Sequence, residues 1–404
     1  MIVQRAFKTE LDLNDVQRTA CARHAGTARY AYNWGLARKI AAFKAGQKRP
    51  SAIDLHRELN ALKQTELGWM YEVSKCAPQE ALRNLDRAFE HFFRRMREKK
   101  AGKPVKAGYQ RFKSRKSGRG SFRLTGVIRV FDDGIQLPRL GRLRLKEHGY
   151  LPASGVRILS ATVSEQAGRW FVSLQVEMEL PAPVGDTCKP VAGVDLGIAA
   201  LATVSDGMVV ENPRALRRDL AKLRRQQRCV SRRQKGSANR AKAVKQLAQA
   251  HRRVANVRQN ALHQATSRLA KTKSVVVLED LNVRGMLQNH HLAQAIVDVG
   301  MAEFRRQLTY KGAWYGCAVV VANRFYPSTK RCSSCGQVKT EMTLGERVYT
   351  CDCCGLVMGR DLNAALNLAA WTTASSAESY ACGESVSPGL QAVLAEAGTE
   401  RRST

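Results

Sequence analysis

Four cysteines toward the C-terminal end of the chain have the spacing of a metal site. They are Cys332, Cys335, Cys351 and Cys354. Two Cys-x2-Cys pairs separated by 15 residues match the ligand number and spacing of a tetrahedral structural zinc site. Gly336 and Gly355 each follow the second cysteine of a pair, where the chain must bend tightly, and this favours Cys354 over Cys353 as the fourth ligand. Ligation by Cys353, or four cysteines without a metal, are the alternatives.

Four thiolates leave zinc no open position for a water or substrate, so any catalytic residues must lie elsewhere. Three acids at the ends of predicted elements form this second set of candidates. Asp195 lies in the strand "VAGVDLGI", Glu279 ends the buried strand "SVVVLE", and Asp361 lies in the first turn of the helix "RDLNAALNLAA". If these carboxylates converge, they could hold two Mg²⁺ ions about 4 Å apart that activate water and stabilise the leaving oxygen of a phosphodiester. For Asp361 alone the alternative is an ordinary helix cap.

The charge of the chain predicts a polyanionic partner. Its 404 residues include 67 Lys and Arg against 34 Asp and Glu, a net charge of +33. Nucleic acid is favoured over a membrane surface, because there is no apolar run of about 18 residues and no signal peptide. Five of the 11 cysteines fall between Cys332 and Cys354, which favours metal binding in a reducing cytosol over disulfides.

Two basic segments are predicted to contact nucleic acid. The first, "AGKPVKAGYQRFKSRKSGRG", interleaves aromatic rings with cations, a composition that grips a sugar-phosphate backbone while rings stack on bases. The second lies between Arg214 and Lys273, where Asp219 is the only acid. A solvated linker or helix face is the alternative for each segment. The residues singled out are Tyr109, Phe112, Lys113, Arg115, Lys116, Arg232, Arg233, Lys235 and Arg240.

The periodicity of the sequence predicts the elements around these residues. "IVQRAFKTELDL" alternates as a strand, and a helical region follows from about Asn14 to Lys100. Strands with a hairpin turn at Gln166-Ala167-Gly168 occupy Phe122 to Glu179. From Val191 onward strands and helices alternate as in an α/β domain. The basic helical stretch should pack through apolar positions at helical spacing, namely Val244, Leu247, Val254, Val257 and Leu262.

Many segments in order resemble the TnpB family of RNA-guided nucleases of insertion sequences, over roughly residues 1 to 370. The segments include "RYAYNWGL", "ALRNLDRAFEHFFRR", "SRRQKGSANRAKA", "VVLEDLNVRGM", "FYPSTKRCSSCG" and "GRDLNAALN". The resemblance implies an RNase H-like (RuvC) nuclease with Asp195, Glu279 and Asp361 as catalytic ligands of two Mg²⁺ ions, and a structural Zn²⁺ ribbon before the third motif. Gly359 departs from the family, which usually carries an acid two positions before the third catalytic Asp.

The resemblance also implies a multidomain α+β architecture. A wedge β-barrel is expected from residues 1–12 and 115–185, with a helical recognition domain at 13–114. The RuvC-like α/β nuclease domain is expected at 190–370, with the zinc ribbon inserted at 326–357. Residues 371–404 are expected to form a disordered tail.

The predicted function is that of an RNA-guided DNA endonuclease. A guide RNA from the transposon end would pair with double-stranded target DNA, and the protein would cut next to a short transposon-associated motif. We expect a cytoplasmic, nucleoid-associated prokaryotic monomer with no membrane partner. The alternatives are an RNA-guided repressor that binds without cutting, a transposase, and a plain zinc-ribbon DNA-binding protein.

Overall fold

The structure is a computed structural model that describes residues 1–115, 120–181, 185–186, 188–343 and 345–381, with the backbone alone for 372–381. The chain forms two compact units. One consists of Met1–Ala182 and Gln226–Arg252, and the other of Pro183–Arg225 and Arg253–Thr404. Two long basic helices, α4 (Ala215–Arg232) and α5 (Ala238–Thr272), contribute residues to both. In the described part of the chain no helix combines the length and apolarity needed to cross a membrane.

The first unit combines seven strands with three α-helices and one short 3-10 helix (Gly68–Glu72). Its helices are α1 (Asp15–Lys44), α2 (Ala52–Thr65) and α3 (Cys76–Lys100). Its strands are β1 (Ile2–Asp12), β2 (Ser121–Leu124), β3 (Arg129–Val130), β4 (Gly134–Leu137), β5 (Gly141–Leu145), β6 (Val156–Gln166) and β7 (Arg169–Glu179). One hydrophobic core joins sheet and helices, since Leu36 of α1 and Leu85 of α3 belong to the same buried cluster as Val172 and Leu174 of β7.

The sheet of this unit has the order β2-β6-β7-β1-β5-β4-β3, so the N-terminal strand, which was predicted as a strand, lies at its centre. The predicted hairpin is confirmed, with Ala167 and Gly168 in the left-handed region between β6 and β7. The expected β-barrel is not closed within the described residues, because the end strands β2 and β3 do not pair. Closure of a sheet into a barrel requires a consistent tilt and stagger of all its strands, and these two short strands, of four and two residues, leave the sheet open.

The second unit is built on a five-stranded sheet of order β10-β9-β8-β11-β12. Its strands are β8 (Val191–Asp195), β9 (Ala200–Val204), β10 (Val209–Glu211), β11 (Val275–Glu279) and β12 (Ala318–Ala322), with a separate pair β13 (Val348–Thr350) and β14 (Val357–Gly359). Strands β8, β11 and β12 run parallel, whereas β9 pairs antiparallel with both β8 and β10. Its remaining helices are α6 (Val283–Met286), α7 (Ala293–Val299), α8 (Met301–Tyr315) and α9 (Arg360–Ala381).

Helix α9 packs across β8, β9 and β11, and Ala365 and Leu368 on its inner side are fully or almost fully buried. It extends to Ala381, past residue 371, the predicted start of the tail. The rest of the predicted tail, 382–404, lies outside the described residues.

The apolar stripe predicted for α5 is partly wrong. Val254 and Leu262 are buried, but Val244 and Val257 are 46% and 36% exposed. Alanines occupy several of the buried positions of this helix instead, among them Ala243, which is 3% exposed. A small side chain lets a neighbouring segment of backbone approach the helix closely. The buried face of α5 is therefore not formed by its largest apolar residues alone.

Candidate functional site

Parallel pairing brings two of the three predicted acids to one edge of the second sheet. Strands β8 and β11 start in register, with Val191 opposite Val275, and Asp195 and Glu279 are their last residues. Asp361 lies in the first turn of α9, which packs across the same strands. Burial, followed by the charges of Glu279 and Asp361, raises the pKa of Asp195 to about 7. The charges of the other two carboxylates therefore reach Asp195, whereas the Arg360 guanidinium, 3.3 Å from Asp361, opposes their effect. Among the described residues the three acids are not drawn together as tightly as the four cysteines described below.

A glycine in the middle of β8 allows α9 to lie this close. A Cβ atom on Gly193 would lie 2.0 Å from the carbonyl oxygen of Ala365 and 2.4 Å from the amide nitrogen of Ala369. Any other residue would push the helix off the strand. Glycine inside a strand is the expected sign of such a close backbone approach.

Two buried asparagines on α9 hold the first part of the ribbon segment, from Ser328 to Ser333. Asn363 donates to the carbonyl of Arg331 at 2.7 Å and accepts from the amide of Ser333 at 2.9 Å. Asn367, one turn further along, donates to the carbonyls of Arg331 at 2.6 Å and Ser328 at 2.8 Å. The helix that carries the third acid and the loop after β12 are thus one hydrogen-bonded assembly.

The adjacent acids Glu279 and Asp280 have different partners. The Ser328 hydroxyl donates to Oε1 of Glu279. Asp280 forms ion pairs with Arg305 at 3.0 Å and Arg324 at 2.5 Å, and hydrogen bonds from these guanidinium groups hold the pKa of its carboxyl below the usual value. Asp280 is therefore neutralised by cations, whereas Glu279 shares the acidic centre.

The four predicted cysteines form a compact cluster. Their sulfur atoms all lie within 4.8 Å of one another, and two Sγ pairs are separated by 3.6 Å. A tetrahedral zinc with Zn–S bonds of about 2.3 Å would separate its sulfurs by about 3.8 Å, so the set fits this ion. The exposed thiol of Cys353 is outside the cluster. The members are Cys332, Cys335, Cys351 and Cys354.

The two halves of this cluster repeat one backbone turn. The amide of Gly336 donates to the carbonyl of Cys332 at 3.0 Å, and the amide of Gly355 donates to that of Cys351 at 3.1 Å. Both glycines have positive φ, 78° and 70°, a conformation that favours glycine. Strand β14 then ends where α9 begins, so the ribbon leads directly into the turn that carries Asp361.

The first group of predicted nucleic-acid contacts is partly used within the protein. The ring of Tyr109 packs edge-on against Phe89 and Phe92, with centroids 5.7 and 5.5 Å apart. Lys113 places its ammonium 3.9 Å from the ring centroid of Tyr32. All four described members, Tyr109, Phe112, Lys113 and Arg115, are nevertheless exposed, and Lys116 lies outside the described residues.

The second group lies around the turn between α4 and α5. Arg233 donates to the carbonyl of Asn239 at 2.6 Å, and Arg240 donates to the carbonyls of Val230 and Arg233. These two guanidinium groups therefore brace the turn itself. Arg232 and Lys235 are exposed.

Sequence reasoning missed the residues that position the acids. Ser328, Asn363 and Asn367 were not among the candidates, and neither was Gly193. Two signals existed in the sequence: a glycine inside the strand "VAGVD", and two asparagines four residues apart in "RDLNAALN", which places them on one face of a helix.

Three family descriptions match separate parts of the chain. Residues 173–290 match the OrfB_IS605 family, described as "Probable transposase", and residues 302–368 match "Cas12f1-like, TNB domain". Residues 1–48 match a "Helix-turn-helix domain" of the OrfB_IS605 type. In the structure this last segment is one strand followed by the 30-residue helix α1.

Solved structures of low sequence identity also resemble the chain. One, titled "Cryo-EM structure of the Cas12f1-sgRNA-target DNA complex", is 14% identical, with 91% of this chain and 99% of that chain covered and a TM-score of 0.34. Another, "Structure of the mini-RNA-guided endonuclease CRISPR-Cas_phi3", is 10% identical, with 91% and 92% covered and a TM-score of 0.42. TM-scores this low do not establish a shared arrangement.

Relatives of nearly full length establish the family. "Putative RNA-guided DNA endonuclease" of Streptomyces pristinaespiralis is 39% identical over 391 residues, covering 96% of this chain and 92% of the relative. "Putative RNA-guided DNA endonuclease InsQ" of Escherichia coli (strain K12) is 32% identical over 403 residues, covering 95% of each. Similarity at this level along almost the whole chain means that the protein belongs to the OrfB_IS605/TnpB family.

Proposed function

We propose that this protein is an RNA-guided DNA endonuclease that hydrolyses phosphodiesters at the carboxylate centre of Asp195, Glu279 and Asp361. The observation that carries the proposal is the placement of Asp195 and Glu279 at the ends of the parallel strands β8 and β11, with Asp361 in the first turn of the helix that packs across them. In the sheet order β10-β9-β8-β11-β12, strands β8, β11 and β12 run parallel and β9 runs antiparallel to its neighbours β8 and β10. This arrangement supports an RNase H-like (RuvC) assignment.

The three carboxylates are suited to hold Mg²⁺, because hard cations prefer carboxylate oxygens. Two such ions would supply water activation and stabilisation of the leaving oxygen. The chain's own residues orient the ligands: the Ser328 hydroxyl fixes one oxygen of Glu279, and Gly193 lets α9 bring Asp361 close to β8. The cysteine cluster would hold Zn²⁺ as a structural ion, since four thiolates leave no open position.

The proposed partners are a guide RNA from the transposon end and double-stranded target DNA. The names of the long relatives describe RNA-guided DNA endonucleases, and the net charge of +33 suits binding of two polyanions. Guide pairing would select the target, and the protein would read a short flanking motif. We further propose that the protein acts as a monomer on chromosomal DNA in the cytoplasm.

A transposase is the second candidate, because the family match over residues 173–290 carries that description. The two functions make different demands. An RNA-guided nuclease needs its RNA to cut, whereas a transposase joins DNA ends without RNA. A repressor would bind its target through RNA and leave it uncut.

The test is cleavage of a plasmid by the purified protein with its co-purifying RNA and Mg²⁺. We expect RNA-dependent cutting, and a loss of about 10³-fold or more in Asp195→Ala and Asp361→Ala with target binding retained. Asp15→Ala, at a fully exposed acid on α1, is the matched control and should cut normally. Cutting near the wild-type rate by either triad variant would refute the assignment, and strand transfer without RNA would favour the transposase.

A further inference from the structure

Phe325 is the most exposed large apolar side chain in the described part of the chain. It is 88% exposed, although transfer of a phenylalanine ring out of water stabilises a protein or a complex. It lies three residues after β12 ends at Ala322, on the loop that supplies Ser328 to Glu279. A ring this exposed, three residues before the serine that contacts Glu279, is a feature that the proposed chemistry does not use.

The local backbone holds this ring outward. The side-chain oxygen of Asn323 accepts from the amide of Phe325 at 2.9 Å, and its carbonyl accepts from the amide of Tyr326 at 3.0 Å. Tyr326 turns inward and donates its hydroxyl to the carbonyl of Asn367 on α9 at 3.1 Å. Because Tyr326 is fastened to the helix, the neighbouring Phe325 is presented to solvent on a braced turn.

A cavity of about 320 Å³ is lined by the residues on either side of Phe325 and by Glu279. Glu279 and Asp280 line one part, and Arg324, Ser328 and Lys330 line another. Asp280 is paired with two guanidinium groups, Arg324 in the cavity wall and Arg305 outside it. The cavity wall therefore places two cations, Arg324 and Lys330, on the same side of the protein as Glu279, where a phosphate could be received.

We propose that Phe325 stacks on a nucleobase of the DNA strand that is being cut, while the cavity beside Glu279 receives the adjoining sugar-phosphate. Stacking of a base on an exposed ring is tolerant of sequence, since every base has a π-face. That tolerance suits a nuclease whose target is chosen by guide pairing. The inference rests on the proposed function, because it names how that function's DNA strand enters the site.

The kinetic test compares single-turnover cutting of a guide-matched DNA oligonucleotide. In Phe325→Ala the DNA concentration for half-maximal rate should rise about 5- to 100-fold, the usual effect of losing one base–aromatic stack, with the maximal rate much less affected. Phe325→Trp should restore binding. Phe43→Ala removes a ring that is 81% exposed on α1 and is the matched control, expected to leave both parameters unchanged.

A second arm does not depend on cutting. In Mg²⁺-free buffer, the protein–RNA complex is irradiated with a DNA oligonucleotide that carries 5-iododeoxyuridine near the expected cut site. We expect a crosslink that maps to Phe325 and disappears in Phe325→Ala. A half-maximal concentration equal to that of Phe43→Ala, or a crosslink unchanged by Phe325→Ala, overturns the stacking proposal. If wild-type protein fails to cut but crosslinks at Phe325, the nuclease function fails and the DNA contact survives.

Discussion

Replacing Gly193 with alanine tests how closely α9 must lie on β8. The new Cβ would lie 2.0 Å from the carbonyl oxygen of Ala365, whereas real Cβ contacts are essentially never shorter than 3.0 Å. The obstacle is backbone, so the helix must shift by about 1 Å, and a misplacement of this size at reacting groups can cost about 100-fold in rate. Overpacking should also destabilise the unit by about 1–3 kcal/mol, more than the about 0.4–1 kcal/mol gained from a stiffer unfolded chain.

The assay is guided plasmid cutting with Mg²⁺, measured beside target binding and a thermal melt. Gly193→Ala should bind target but cut about 100-fold more slowly, because Asp361 moves with α9 while the basic surfaces remain. Gly26→Ala on α1 is the control, since its Cβ would meet only the flexible end of Arg29 at 3.9 Å. Cutting within about threefold of wild type, with unchanged melting, would refute the claim that Gly193 sets the position of the third acid.

Three further predictions concern single groups of the site. Glu279→Gln should reduce cutting about 10³-fold, whereas Asp280→Asn should be mild because that carboxylate is already paired with two guanidinium groups; equal losses in cleavage assays would contradict the choice of acid. Cys351→Ser should lower zinc content and cutting together, since zinc binding supplies local folding energy of about 10 kcal/mol or more, and Cys353→Ser should change neither; metal analysis beside cutting rates decides. The third prediction concerns Asp195 in Mg²⁺-free buffer, where its pKa is raised from 3.8 to about 7. Between these two pH values the folded protein keeps a proton that the unfolded chain releases, so the contribution of Asp195 to stability is full below about pH 4 and is lost as pH rises through about 7. Thermal melts of Asp195→Asn across this pH range should lack this loss.

Several features of the fold could be predicted because they depend on local chemistry. The N-terminal strand, the hairpin turn and the alternation of strands and helices after Val191 follow from residue periodicity and turn residues. The open sheet of the first unit could not, because closure depends on whether distant end strands meet. The buried stripe of α5 was misjudged where Val244 faces solvent and Ala243 faces inward. A sequence-based prediction assigns the largest apolar residues to the buried face. Which residues are buried depends instead on the surface that packs against the helix.

For the candidate site, the sequence by itself predicted which residues would be ligands. The four cysteines follow from their spacing within two short segments, where covalent geometry limits what neighbouring residues can do, whereas the choice of the three acids depends on the resemblance to the TnpB family. Only the tertiary structure decided that Asp195 and Glu279 share an edge, through the parallel register of β8 and β11, and that Asp361 joins them because Gly193 admits α9. Carboxylates 84 and 82 residues apart along the chain meet through strand pairing and helix packing, and neither of these is encoded within any one segment.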